Sequence, residues 1–334
     1  MPPTPAPPGL HRPLARAADL ALEATIAPSY TSVGFRVRQT VGHWPPPVAD
    51  DLHGRTFLVT GASRGIGHET ASMLLAAGAA VRSVSHSAER AEEATRRLRA
   101  RHPDSDIAFS VADLTVADDL GSLASDLGRE LTHLDGIAHC AGAFYPELTR
   151  TGDGIEANVA LGVVAPHRLN HLLADHLAAA PDPRVAIVAS SGSYLHRLDI
   201  GALDPDDPGR YRPLAAYAHT KRAQIVLTHA WARRRRTIAF DAMAPGWSDT
   251  ELLRRGLPRF RALLRPVLRS ATEGADTLAW LLARPHARRT TDRFWHDRRP
   301  RLEHRFPWTL GGDGPDELWA WCEQHTPARH AAGA

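Results

Sequence analysis

Lys221 stands four residues after Tyr217, in the segment AAYAHTKRA. On a helix that spacing stacks a phenol and an ammonium on one face. Lys and Arg together number 40, and every one of these cations except Lys221 is Arg. An ammonium and a guanidinium are not interchangeable where a compact point charge is needed, so the one retained lysine marks such a place. A phenol beside an ammonium is a proton-transfer pair. Alone, a phenol with a pKa near ~10 is a serviceable acid and a poor base, and a neighbouring positive charge favours the phenolate. Upstream, IVASSGS closes an apolar run and offers Ser190, Ser191 and Ser193, whose hydroxyls can hold an oxygen as charge develops on it. Interconverting a ketone and an alcohol needs such a set: hydride to carbon, a proton to oxygen, and a donor that orients the oxygen. The bland reading of the same residues is a surface Tyr–Lys pair.

A second constellation is TGASRGIG, Thr60 to Gly67, placed where a short apolar strand gives way to a helical stretch. Gly61, Gly65 and Gly67 permit a tight turn and close backbone approach to a pyrophosphate. The following helix start presents oriented N–H donors, with Ser63, Arg64 and Ile66 completing the loop. A site for NAD usually carries an acidic residue at the end of the second strand to bond the ribose 2′-hydroxyl. Here that region reads Val84-Ser85-His86-Ser87, without a carboxylate, while Arg64 offers a guanidinium for a phosphate. Both features favour NADP(H) over NAD(H). Asp113-Leu114 follows the third strand and reads either as an adenine-edge contact or as an ordinary surface carboxylate.

The elements that must position these residues alternate. Strands are expected at 55–60, 80–85, 106–112, 135–140, 184–190, 237–243 and 293–296. Helices are expected near 14–27, 68–77, 88–101, 116–131 and 214–233, with a long one ending near residue 179. Strands alternating with helices of this length predict an α/β fold, a single doubly wound Rossmann-type domain with a parallel sheet of about seven strands. Residues 1–50 are expected to form a Pro-rich tail and an arm, 51–300 the nucleotide-binding domain, and 301–334 a C-terminal extension. Two cysteines, Cys140 and Cys322, exclude a disulfide framework and a multi-Cys zinc site. No apolar run reaches membrane-spanning length and the N-terminus lacks a signal-peptide core, so a cytoplasmic protein is expected. The small net charge of +3 gives no reason to expect nucleic acid as a partner.

In this order and spacing the motifs resemble the short-chain dehydrogenase/reductase family over about residues 50–300. TGASRGIG, ADL, CAG, ASSGS, YAHTK and PGWSDT follow the family sequence. The 26-residue step from Ser191 to Tyr217, with LDPDDP between them, is similar to the retinol-dehydrogenase-like branch. AYAHTKRAQIVLTHAWA, EGADTLAWL and DRFWHDRRP are similar to its member-twelve type. The resemblance implies Tyr217 as acid/base, Lys221 as its ribose-bonding helper, and Ser191 as the group that orients the substrate oxygen. It further implies that Ala141 and Gly142 lie near the ribose and that Pro245, Gly246 and Thr250 line the nicotinamide. Two departures stand out. His139-Cys140 replaces the family's Asn-Asn pair before Ala141-Gly142. The Asn that supports the proton relay, expected three residues before a Gly, here stands as Asn158, four before Gly162.

The implied activity is hydride transfer between NADP(H) and a small carbonyl or alcohol substrate of lipophilic character. The alternative is a nucleotide-binding regulatory or scaffolding protein with little turnover. Residues 251–269 mix apolar residues with Arg and are expected to cover the substrate. Together with Arg16, Arg36 and Arg38 they also carry a minority reading as a membrane-surface patch. Arg233–Arg236 reads as a solvated helix end. His167 and His171 are spaced i, i+4, but no third ligand accompanies them in the sequence, so no metal is expected. The family resemblance is compatible with a homo-oligomer.

Overall fold

Short runs such as TFLVT and RVAIV, rich in β-branched residues, suit strands buried on both faces. In the computed structural model, which describes residues 11–284 and 291–326, those runs are the strands of one sheet. Most of the Pro-rich tail and the last eight residues of the expected C-terminal extension lie outside the described residues. The chain begins with α1 (His11–Ala24), α2 (Ile26–Tyr30) and α3 (Ser32–Gly42). It continues as β1 (Thr56–Thr60), α4 (Gly65–Ala76), β2 (Ala80–Ser85), α5 (Ala88–Arg101), β3 (Ile107–Val111), α6 (Ala117–Glu130) and β4 (Gly136–His139). A broken helix follows: α7 (Ala157–Val159), a π-helical turn (Ala160–Val164) and α8 (Ala165–Leu172). Next come α9 (Ala174–Ala178), β5 (Arg184–Val188), α10 (Pro213–Arg234), β6 (Ala239–Met243), α11 (Glu251–Gly256), α12 (Pro258–Leu264) and α13 (Ala271–Ala283). The last elements are β7 (Arg293–His296), β8 (Arg299–Pro300) and α14 (Pro315–Gln324).

The strand order is β3-β2-β1-β4-β5-β6-β7-β8. All neighbours are parallel except β8, a two-residue strand antiparallel to β7. It adds an eighth strand to the seven the alternating pattern predicts. Side chains alternate between the two faces with the period of a strand. Leu58, Val84, Ile137, Val185 and Phe240 meet Leu120, Leu169 and Leu227 in one core. Phe57, Val59, Val81, Ala138, Ala186 and Met243 meet Leu74, Leu278 and Leu282 in the other. The strand order reverses direction at β1 and β4, which opens a crevice at their C-terminal ends, the place where doubly wound sheets bind ligands. Both constellations read from the sequence sit at that end.

The arm is more structured than its composition indicates. α1 matches the helix expected near 14–27, but residues 26–42 are also helical and pack on the domain. Arg38, on α3, is buried. Its guanidinium meets Asp19 at 2.7 Å, Glu23 at 2.8 Å and Asp297, from the β7–β8 turn, at 2.6 Å. Asp297 also meets Arg269 at 2.6 Å, and Arg301 meets Asp19 at 2.7 Å. Arg38 is therefore unavailable to a membrane surface, contrary to the minority reading of the arm, because the network consumes its charge. Arg36, on the outer face, pairs with Glu273. Among the described residues no helix is long and apolar enough to cross a membrane.

Candidate active site

α10 carries both members of the proton-transfer pair. Its Pro213 opens the helix, where a missing N–H costs nothing. The 22-residue helix runs under the sheet and buries Lys221 while leaving Tyr217 partly exposed. The Lys221 ammonium lies 5.5 Å from the centroid of the Tyr217 ring. It donates to the Val188 carbonyl at the end of β5, 2.7 Å away, and to Gln224 Oε1 at 3.0 Å. An ammonium has three donors, so two are taken and one is left for a ligand. Burial pushes Lys221 down to about 8. Burial also raises Tyr217 above the ordinary phenol value, opposed by a hydrogen bond with Ser190. Desolvation therefore outweighs the lowering expected from the nearby ammonium, and the phenol stays protonated at neutral pH, as a free phenol does.

The serines divide their tasks. Ser190 caps the turn after β5, accepting from the Gly192 N–H at 3.1 Å, and faces Tyr217. Ser191 Oγ accepts from the indole N–H of Trp247 at 3.3 Å. Ser193 is fully buried, with no hydrogen-bond partner for its hydroxyl among the described residues. Trp247 lies in the loop after β6, stacks on Tyr30 of the arm and meets Phe260 of α12 edge-on at 5.0 Å. Its backbone N–H donates to the Tyr30 carbonyl at 2.8 Å. Phe144 faces Tyr217 at 6.1 Å. Phe144, Tyr217, Trp247 and Phe260 thus give the crevice an aromatic wall, with α11 and α12 supplying the segment expected to cover a substrate.

Asn158 lies elsewhere in the network. Its amide donates to Glu156 at 2.7 Å and to the Tyr211 hydroxyl at 3.1 Å. The π-helical turn at Ala160–Val164 holds one residue more than an α-turn would, which accommodates the four-residue step from Asn158 to Gly162. From this turn the Gly162 carbonyl accepts from Gln224 Nε2 at 2.8 Å. Gln224 therefore links Lys221 directly to the helix that also carries Asn158. Of the two residues replacing the family's Asn pair, His139 turns into the core, bonding Asn170 at 3.0 Å, and burial pushes it down to about 4. Cys140 lies close enough to Lys221 to interact with its charge, yet burial pushes its thiol up to about 12.

The glycine loop has the shape a pyrophosphate requires. Gly61 adopts φ +69°, and a Cβ there would come within 2.9 Å of the Ala141 backbone. A Cβ on Gly67 would meet the Gly61 carbonyl at 2.5 Å. Gly65, φ +61°, opens α4 and faces free space bounded by Thr250, a hollow that a Cβ would begin to fill. Ser63, Ile66 and Thr250 are half-buried, and Ala141 donates its N–H, as does Cys140, to Thr60 Oγ1 at 3.1 Å. Arg64 pairs with Glu251 at the start of α11, bridging the loop and the covering segment. Arg90 stands near it, within 3.5 Å of His86, and Arg97 donates to the Ser63 carbonyl at 2.8 Å. Asp113 is exposed and caps its own turn through Thr115, while Leu114 is buried. Gly142 is exposed beside Ala141. Gly246, φ +74°, follows Pro245 and packs against the Arg269 guanidinium.

Gln224, Trp247 and Arg90 enlarge the set read from the sequence. Gln224 was legible in principle, one turn beyond Lys221 on the same helix. Trp247 was not, because it reaches Ser191 across 56 positions of chain from inside a loop.

A short chain dehydrogenase profile matches residues 55–199. Dehydrogenase/reductase SDR family member 12 of Bos taurus is 34% identical over 266 residues, covering 77% of this chain and 82% of that one. The chain belongs to the short-chain dehydrogenase/reductase family. Retinol dehydrogenase 14 of Mus musculus, also related, is 28% identical, covering 74% of this chain and 78% of that one. Among solved structures, a short chain dehydrogenase from Shigella flexneri superposes with TM-score 0.61 at 20% identity, covering 78% of this chain and 98% of that one. Membership of the short-chain dehydrogenase/reductase family makes the protein an NAD(P)-dependent oxidoreductase acting on small molecules, and the doubly wound sheet is the family's fold.

Proposed function

We propose that the protein is an NADP(H)-dependent reductase of lipophilic ketones or aldehydes, with Tyr217 as the proton donor. The observation that carries this reading is the Tyr217 phenol 5.5 Å from the chain's one lysine ammonium, beside Ser190 and Ser191 in an aromatic-walled crevice. NADP(H), when bound, supplies the hydride. The residues around the hollow at Gly65 fit its pyrophosphate, with Gly61, Ser63, Ile66 and Gly67 forming the turn and the first N–H groups of α4 pointing to the phosphates. Ala141, Gly142, Pro245, Gly246 and Thr250 border the ribose and nicotinamide side, and Asp113 and Leu114 the adenine side. Lys221 keeps a donor free for ribose hydroxyls. Ser191 holds the substrate oxygen, and Trp247 fixes the Ser191 hydroxyl by occupying one of its acceptor positions. Asn158, bonded to Glu156 and Tyr211, supports the helix that Gln224 grips.

The choice of NADP(H) rests on Arg64, Arg90 and His86 at the end of β2, where no carboxylate is available for a ribose 2′-hydroxyl. A 2′-phosphate would draw Arg64 from Glu251. A short chain dehydrogenase from Escherichia coli in complex with NADPH, similar in fold (TM-score 0.61, 20% identity, 76% of this chain and 100% of that one), supports this reading. Thermal-shift titration is the test, because a ligand that binds the native state raises Tm by mass action. NADPH is expected to raise Tm at lower concentration than NADH. An equal or larger response to NADH contradicts the assignment.

A further inference from the structure

His167 and His171, one turn apart on α8, lack a third ligand in the sequence around them, but the fold delivers one. Glu323, on α14 near the other end of the chain, places a single carboxylate oxygen 3.0 Å from His167 Nε2 and 2.8 Å from His171 Nε2. The three ligand atoms all lie within 4.8 Å of one another. Around a tetrahedral zinc ion, with bonds of about 2.0–2.1 Å, neighbouring ligand atoms lie about 3.3–3.4 Å apart. The two nitrogen–oxygen edges therefore need to open by only about half an ångström to admit the ion.

The surroundings also suit a cation held by these ligands. Both imidazoles are walled by Trp231 and Trp319, with ring centroids 4.7–5.4 Å away, so polar donors converge inside an apolar shell. Arg234 brings an opposing charge over Trp319, but it pairs with Asp316 at 2.8 Å. The side chains of His171 and Glu323 are 32% and 45% exposed, which gives an ion a path in and leaves a fourth position for water. His167 Nδ1 is buried without a partner among the described residues. A ligand ring whose second nitrogen lacks a hydrogen-bond partner binds about 10–100-fold more weakly than one that has it.

We infer that His167, His171 and Glu323 form a zinc-class divalent cation site that ties α14 to α8. It lies beside Trp231, ten residues and roughly 15 Å along α10 from Lys221, so its task is structural and separate from the proposed reaction.

The test uses the full chain, stripped with chelator and desalted, titrated with Zn²⁺ by calorimetry and followed by thermal melting without cofactor. One stoichiometric equivalent is expected, with Tm rising as zinc is added, and Co²⁺ in its place should give the intense visible bands of a tetrahedral site. His171→Gln and Glu323→Gln, both at partly exposed positions, should melt close to the metal-free wild type and lose that equivalent. Absence of a stoichiometric equivalent, or its persistence in both variants, overturns the proposal and leaves Glu323 as a hydrogen-bonded clamp only. Because no readout depends on turnover, the result stands apart from the assignment of the reaction.

Discussion

Lys221 is the residue at which charge, burial and chemistry compete most closely. Burial holds it at about 8, so it is charged at neutral pH and loses its charge as pH rises through that value. Carbonyl reduction is expected to fall along a limb near that pH. Gln224 Oε1 accepts from the ammonium and favours its charged form, so Gln224→Leu should move the limb to lower pH. A limb that stays in place contradicts the role given to Gln224. Trp247→Phe keeps the ring stacked on Tyr30 and removes one hydrogen bond to Ser191, worth about 1 kcal/mol, which corresponds to roughly fivefold in kcat. An unchanged kcat would separate Trp247 from the substrate oxygen. Tyr217 and Lys221 were legible in the sequence because one helix carries both at a fixed spacing. The direction of the Tyr217 shift was not, because desolvation depends on neighbours that only the fold supplies.

At the scale of elements, the strands were legible because a parallel sheet covered on both faces reads as short apolar runs. Strands β2 and β7 match their expected spans residue for residue. The helices of the arm beyond α1 were not legible, for the opposite reason. Arg38 reads as a solvent-facing charge until Asp19, Glu23 and Asp297 are brought around it, and Gly34 and Gly42 weaken the helical signal of α3. The π-helical turn likewise explains a spacing that looked defective: the extra residue before Gly162 is absorbed locally, and the Gly162 carbonyl remains placed for Gln224. Breaking a buried ion pair by removing one partner costs about 3–5 kcal/mol. Arg38→Ala should therefore lower unfolding stability by about that amount in urea denaturation. A loss under about 1 kcal/mol, the size expected of an exposed pair, would mean that the network contributes little.

Across the whole molecule, the arm and the site are one structure. Arg269 donates to the Ser29 and Thr31 carbonyls of the arm, to Asp297 of the last hairpin and to Pro245 of the crevice loop. Trp247 joins the same arm to Ser191 and to the covering segment. Residues separated by more than 200 positions thus fix the loop after β6, an arrangement no local pattern announces. The family, the sheet and the Ser–Tyr–Lys set could be read from sequence because each rests on short-range spacing, whereas the bracing of the loop rests on long-range ion pairs and ring stacking. The account as a whole turns on Tyr217 as proton donor. Its most direct test is NADPH oxidation by wild type and Tyr217→Phe over a panel of lipophilic ketones and aldehydes, with NADPH binding by both confirmed by thermal shift. Turnover by the wild type and none by the variant is the predicted result. Equal turnover by Tyr217→Phe, or NADPH binding by the wild type with no turnover of any carbonyl, would contradict it.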